Sequence, residues 1–378
     1  MRLVVALKLV PSNEQRRLLR QTLEQANAAA NHISGVAWRE RTFGQFKLQK
    51  LVYGETRQRF GLTAQVVIRL IAKVADAYTL DRGRERRFRA VGSIAYDDRI
   101  LRYGSEYVSI WTVGGRQAIP FVCGERQREL LKFRQGESDL VLRDGDWYLL
   151  ASVNVIEPPT GQVEDYLGVD LGIKNIAADS DATLYAGGHV NGLRHRQRRL
   201  RQRLQSKGTR SAQRLLKRRR RTEHRFGTCT NHTISKRIVA EAQCTKRGIA
   251  LEDLAGIRTR IKARRSSQRA TLHAWSFHQL GQFVAYKAAL AGVPVVYVDP
   301  RNTSRTCPGC GLVDKANRRT QAQFVCVGCR LAGLADHFAA LIIRDRGRAG
   351  CHAAGRGGCG ISVSKHLAAS SRALARSP

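Results

Sequence analysis

CVGCRLAGLAD, residues 326–336, brings two kinds of metal ligand together within one short segment. Cys326 and Cys329 are half of a thiolate clip, and Asp336 stands at the start of the apolar stretch HFAALII (337–343). The other half of the clip is Cys307-Pro-Gly-Cys310, with fifteen residues between Cys310 and Cys326. Two CxxC pairs wrap four thiolates around one tetrahedral zinc, and a connector of this length folds as two short hairpins, a zinc ribbon. Four ligands close such a site, so its zinc stiffens the chain and does not catalyse. Asp336 has no place among those four ligands. Either it caps a helix or it belongs to a second metal site.

Two further acids sit at the ends of apolar strands. Asp170 lies in LGVDLGIKN (167–175), flanked by Gly168 and Gly172, small residues expected to admit a ligand backbone. Glu252 ends the strand in IALEDL (249–254), at the carboxyl end where open α/β sheets build their sites. Asp253 points to the opposite strand face and is the weaker candidate. Each acid alone also reads as a turn residue. Two strand-borne carboxylates and one on a packing helix, however, can hold a pair of divalent ions that activate a water and stabilise the leaving oxygen in phosphodiester hydrolysis. Hard oxygen donors select Mg2+ or Mn2+, not the zinc of the ribbon.

The charge balance names the partner class. The 378 residues carry 66 Lys and Arg against 30 Asp and Glu, a formal net charge of +36. Such a surface repels itself unless a polyanion covers it, and nucleic acid releases counterions on doing so. A membrane partner would call for a spanning segment or a basic helix with a clear apolar face. The apolar start LVVALKLV (3–10) is too short to span, is broken by Lys8, and precedes no small-residue cleavage site. Nine cysteines, four of them in CxxC pairs, fit a reducing compartment. A cytoplasmic, nucleoid-associated protein without a membrane partner is expected.

Patterning then divides the chain into a multidomain α/β plus β protein. Residues 1–10 read as a strand; 11–89 as a helical insertion opened by Ser12 and Gln15 at capping-box spacing; 90–160 as period-two strands of a small antiparallel barrel. Trp111, Trp147 and Tyr148 in those strands could stack on bases, although each also suits a core. Pro158 and Pro159 mark the boundary. Strands then alternate with helices, an α/β arrangement over 161–302 and 332–346 that encloses the ribbon at 303–331. The tail 347–378, rich in Gly, Ala, Ser and Arg, is expected to be disordered, and its Cys351, His352 and Cys359 are too few for a metal site.

Residues 194–226 read RHRQRRLRQRLQSKGTRSAQRLLKRRRRTEHRF, a helix pair turning at Gly208 in which Glu223 is the single acid. A solvated face mixes signs; this one does not. Arginine forks match phosphates, so Arg198, Arg199, Arg201, Arg203, Lys217, Arg218, Arg219, Arg220 and Arg221 are candidate nucleic-acid contacts.

The motifs GVDLGIKN, LEDLAGI, and VDPRNTSRTCPGCG followed by FVCVGC and the AD of Asp336 resemble TnpB, the transposon-encoded RNA-guided endonucleases related to type V CRISPR effectors. The acids are 82 and 84 residues apart, a spacing that agrees with the resemblance, which extends over nearly the whole chain except the tail. It implies an RNase H-like (RuvC) nuclease domain with catalytic Asp170, Glu252 and Asp336 holding magnesium or manganese. It further implies an inserted zinc ribbon on Cys307, Cys310, Cys326 and Cys329, and a wedge-like barrel with a helical recognition insertion. A guide RNA and double-stranded target DNA are the implied partners of a monomeric RNA complex. Three positions depart from the family: Arg330 stands where it has Gly, and Phe338 and Ile342 where it has Asn. The implied activity is RNA-guided, metal-dependent DNA cleavage. The competing readings are a nuclease-dead RNA-guided repressor, an RNase H-like strand-transfer transposase, and a plain zinc-ribbon nucleic-acid-binding protein.

Overall fold

In β1 (Arg2–Leu9), Val5, Leu7 and Leu9 are buried and the residues between them exposed, the alternation a half-buried strand needs. The computed structural model to which this strand belongs describes residues 1–254 and 277–354. The chain separates into two compact units, Met1–Ile156 and Glu157–Pro378.

In the first unit, β1 leads into α1 (Asn13–Arg39), where the capping box forms: the Ser12 hydroxyl accepts from the Gln15 amide, and the Gln15 side chain accepts from the Ser12 amide. Leu19, Leu23, Ala26, Ala30 and Ile33 form its buried stripe. Two more helices follow, α2 (Gln45–Phe60) and α3 (Ala64–Leu80). Helix α2 was not legible in the sequence, because it buries only Leu48, Val52 and Thr56 and exposes Phe46 and Leu51. After β2 (Ile94–Tyr96), β3 (Leu101–Tyr103), β4 (Tyr107–Thr112) and β5 (Gly115–Val122), the short α4 (Glu125–Leu131) precedes β6 (Arg134–Arg143) and β7 (Asp146–Asn154). The seven strands form one antiparallel sheet in the order β2-β6-β7-β1-β5-β4-β3. Its two ends nearly meet: the Tyr103 hydroxyl on β3 donates to Ser138 on β6, and Tyr96 on β2 donates to the Trp111 carbonyl on β4. The result is a near-barrel. Trp147 belongs to its core and Trp111 packs against that core.

The second unit is built on a mixed five-stranded sheet. β8 (Tyr166–Asp170), β9 (Asn175–Asp179) and β10 (Leu184–Ala186) run as an antiparallel meander. Three helices follow, α5 (Gly188–Lys207), α6 (Arg210–Arg219) and α7 (Thr222–Cys244): the basic helix pair and then a helix that buries Ile234, Ile238 and Ala242, as its spacing suggests, except that this third helix begins inside the basic segment, at Thr222. Gly208 ends α5 in the left-handed conformation as expected, and a second break falls at Arg221, which is also left-handed. Then come β11 (Gly248–Glu252), α8 (Phe277–Leu290) and β12 (Val295–Val298). The sheet order is β10-β9-β8-β11-β12, with β11 parallel to both neighbours. Leu167, Val169, Ile249 and Leu251 turn one face toward α7 and α8. A hairpin of β13 (Gln323–Val325) and β14 (Ala332–Leu334) leads into α9 (Ala335–Ala354), which covers the other face through Ile343.

Gly168 corrects one expectation. A Cβ there would come 2.1 Å from the Ala340 carbonyl oxygen and 2.5 Å from the Arg344 amide nitrogen. The glycine therefore admits the backbone of α9, not that of a ligand. Gly172 serves its own turn, where a Cβ would meet the Asn175 carbonyl at 2.7 Å. Helix α9 also continues eight residues past the expected end at 346. Gly347 sits where a Cβ would lie 2.9 Å from that of Ala250, so it lets the helix lie on the sheet instead of ending it. The disordered tail expected from 347 is thus helical to Ala354; its remainder, with Cys359, lies outside the described residues. Among the described residues, no helix is long and apolar enough to cross a membrane.

Candidate active site

Asp170 and Glu252 are the last residues of neighbouring parallel strands. The register pairs Gly248 with Tyr166 and Leu251 with Val169, so the two acids occupy equivalent positions on strands spaced about 4.8 Å apart. Because side chains alternate along a strand, Leu167 and Val169 face α7 and α8, whereas Gly168 and Asp170 share the face covered by α9. Ala250 and Glu252 share it too. Asp336 lies in the first turn of α9, about one helical turn before the Ala340 carbonyl that touches Gly168. Three carboxylates far apart in the chain therefore converge on one side of the sheet, at its carboxyl end.

Their electrostatics reflect that crowding. Burial pushes Asp170 up to about 8, repulsion from Glu252 and then Asp336 adds to it, and Arg318 opposes. Glu252 is also raised by burial, against a hydrogen bond from Thr303 and the charge of Arg346. Asp336 is tied down at both oxygens: Asn175 Nδ2 donates to Oδ2 and Arg318 Nη2 to Oδ1, each at 3.0 Å. The Thr303 hydroxyl donates to Glu252 Oε1 at 2.5 Å. An acid cluster that holds a proton on Asp170 near neutral pH and draws in an arginine is short of positive charge. Its hard oxygen donors suit a divalent cation of the magnesium type.

Arg318, Asn175 and Thr303 were not singled out from the sequence. Asn175 and Thr303 lie within the quoted motifs GVDLGIKN and VDPRNTSRTCPGCG, but Arg318 stands in an ordinary basic stretch between the cysteine pairs. Asp253, the weaker candidate, is exposed beyond the strand end.

The four cysteines converge as expected. All four sulfurs lie within 4.8 Å of one another, with Cys307 to Cys329 and Cys310 to Cys326 both at 3.6 Å. Sulfurs at about 2.3 Å from a tetrahedral zinc would be about 3.8 Å apart, so the cluster has the dimensions of a structural zinc site. The Cys329 amide lowers the Cys326 thiol, whereas Cys329 itself, although its own backbone contact with Leu331 lowers it, is raised by the neighbouring Cys310 and Cys307 thiols, as befits sulfurs crowded closely enough to share protons. The acids do not close to the mutual separation of the sulfurs.

The knuckles repeat one geometry. Gly311 donates to the Cys307 carbonyl and Arg330 to the Cys326 carbonyl, and both are left-handed, with φ of 74° and 61°. That conformation is why glycine suits the position Arg330 occupies. Phe338 and Ile342 are buried; Phe338 packs edge to face on Phe324, joining α9 to the cysteine module. Their role is packing.

Arg198, Arg199, Arg201 and Arg203 lie on α5, Lys217, Arg218 and Arg219 on α6, and Arg220 and Arg221 at the break before α7. All are exposed except the partly covered Arg221. A cleft of about 490 Å³ opens between these helices, floored by Leu200, Leu204 and Leu216 and rimmed by Arg201, Lys217 and Arg219.

Known proteins resemble this chain in sequence over part of its length and in fold. The family model described as Cas12f1-like, TNB domain, matches residues 277–343. The CRISPR-associated endodeoxyribonuclease Cas12f1 of Sulfoacidibacillus thermotolerans is 40% identical over 118 residues, which are 30% of this chain and 26% of the relative. TnpB-like protein MJ0751 of Methanocaldococcus jannaschii is 37% identical over 100 residues, 26% of this chain and 35% of the relative. The chain thus matches about a quarter to a third of the length of these curated relatives. Among solved structures, one from a Cas12f1-sgRNA-target DNA complex superposes with a TM-score of 0.57 at 15% identity, over 88% of this chain and 83% of that one, a likeness of fold.

Proposed function

Because this chain belongs to the TnpB/Cas12f-like family and carries its TNB zinc-finger domain, we propose that it is an RNA-guided, magnesium-dependent DNA endonuclease encoded by a transposon. The observation that carries this reading is the convergence of Asp170, Glu252 and Asp336 on one face at the carboxyl end of the mixed sheet. In this reading the sheet with its helices is an RNase H-like (RuvC) nuclease domain, residues 161–302 and 332–346, interrupted by a zinc ribbon at 303–331. The barrel strands form a wedge-like domain, with residues 11–89 as its recognition insertion.

Asp170, Glu252 and Asp336 would hold the catalytic magnesium or manganese. Such ions, when bound, supply an activated water and stabilise the leaving oxygen of the phosphodiester. The chain's own residues supply the rest. Asp170 and Glu252 are aimed by strand pairing, and α9 brings in Asp336. Asn175 and Arg318 fix the Asp336 carboxylate. Arg318 also supplies a positive charge beside the acids, where it can meet a phosphate. Cys307, Cys310, Cys326 and Cys329 would hold a structural zinc, whose closed site leaves no position for substrate.

The arginines of α5 and α6 would line the path of a guide RNA and its target strand. Base pairing would provide the sequence specificity, and the first unit would read a short flanking duplex motif. The decisive experiment purifies the protein with the RNA co-expressed from its own locus. Magnesium-dependent cleavage of a target library with randomised flanks is then measured beside Asp170→Ala. Cleavage that needs both the RNA and Asp170 establishes the reading. A discrete RNA and target binding without cleavage would make the protein a guided repressor. Absence of any discrete RNA would return the choice to a strand-transfer transposase or a simple binding protein.

A further inference from the structure

Thr303 sits five residues beyond the end of β12, in the connection that leads to Cys307. Strand pairing sets Glu252 opposite Val298, and the Asp253 amide still donates to the Val298 carbonyl, so the connection begins beside the second acid. It then turns back. Arg301 donates its amide to Asp299 Oδ1, Asn302 adopts a left-handed φ of 59°, and the amides of Arg305 and Thr306 both return to the Asn302 carbonyl. Asparagine tolerates that conformation better than most side chains. The turn swings Thr303 inward until it is 5% exposed, with its hydroxyl on Glu252 Oε1 at 2.5 Å and 3.2 Å from the Pro300 carbonyl.

Glutamate has one more rotatable bond than aspartate, and it is the one acid of the three with so long a tether. Asp170 is aimed by its strand and Asp336 is held by Asn175 and Arg318. A carboxylate that accepts a hydrogen bond on one oxygen loses much of its freedom to swing, so its second oxygen is held toward a restricted region, which is how outer-shell partners orient ligating groups. We propose that Thr303 is the positioning residue for Glu252, orienting its carboxylate for divalent-ion binding. The inference rests on the three-acid reading of the site given above. It also gives the turn before the first cysteine pair a role in the acid site.

The test is Mn2+ binding to the full-length, zinc-loaded, RNA-free protein, followed by the electron paramagnetic resonance signal of free Mn2+. Wild type is compared with Thr303→Val, Thr303→Ser and Asp170→Ala. Valine keeps the branched shape and removes the hydroxyl; serine keeps the hydroxyl and removes the methyl. Thr303→Val is expected to weaken Mn2+ binding by about ten- to a hundredfold, and Thr303→Ser to stay close to wild type. Equal binding by Thr303→Val and wild type, or a larger loss in Thr303→Ser than in Thr303→Val, would overturn the proposal, the second result assigning Thr303 to packing. Undiminished binding in Asp170→Ala would instead bring down the three-acid reading, and the role of Thr303 with it.

Discussion

Among the described glycines of the second unit, Gly168 is the one at which an added methyl would meet the closest obstacle, so Gly168→Ala is a demanding change. The added Cβ would lie 2.1 Å from the Ala340 oxygen, 2.5 Å from the Arg344 nitrogen and 2.9 Å from the Arg344 Cβ. None of these atoms can rotate away, because they belong to the backbone of α9 or are fixed to it. Ordinary carbon contacts need about 3.5 Å, so α9 must retreat from β8 by more than about 1 Å. Overpacking of this kind costs about 1–3 kcal/mol, occasionally more, and the upper end applies because the obstacle is a whole helix. For a unit of this size about 3 kcal/mol lowers Tm by roughly 6–12 °C. Asp336 rides on the same helix one turn away, and a displacement of about 1 Å in a catalytic group can cost a hundredfold in rate. The assays are thermal unfolding of the RNA-free protein and the cleavage rate of the guided complex. Gly54→Ala is the control: it lies inside α2 with nothing within 4 Å of its Cβ, and should be neutral or slightly stabilising. An unchanged Tm and rate in Gly168→Ala would refute the close approach of α9 to β8 on which the site's geometry rests.

Three further outcomes follow from the same structure. With its carboxyl raised to about 8 from 3.8, Asp170 binds its proton more tightly folded than unfolded; its stabilising contribution is complete below about pH 3.8 and is lost as pH rises through about 8. Without divalent ions, stability should therefore fall over that window by up to about 1.4 kcal/mol per pH unit, and Asp170→Asn should flatten the profile in denaturant titrations at several pH values. Arg330→Gly removes a left-handed arginine, worth about 1–2 kcal/mol, against about 0.4–1 kcal/mol of added unfolded-state entropy. It should hold zinc as well as or slightly better than wild type against a competing chelator, and faster zinc loss would contradict the strain. Cys326→Ser should open the β13–β14 hairpin, because its core is little more than Cys307, Phe324, Cys326, Ala335 and Phe338; faster amide hydrogen exchange over residues 307–334 is the readout.

Sequence alone was enough for the signals that are local or compositional. The CxxC pairs announce a clip because two thiolates three residues apart must share a knuckle, whatever the rest of the chain does. Charge named a polyanion, an apolar run closed by Pro11 named β1, period-two patterning named β7, and the capping box named the start of α1. The apolar strand ends drew attention to Asp170 and Glu252. What the sequence could not contain is the register that sets those acids side by side, since strand pairing is decided between segments about eighty residues apart. Nor could it reveal that Gly168 yields to a helix instead of a ligand, that α9 runs on through Gly347, or that a weakly patterned segment forms α2. Arg318 is the clearest case. In the sequence it is one of many arginines, and only the folded cysteine module carries its guanidinium 3.0 Å from Asp336. Hydrophobic period and ligand spacing are written along one chain, whereas aim, crowding and countercharge arise only where separate elements meet.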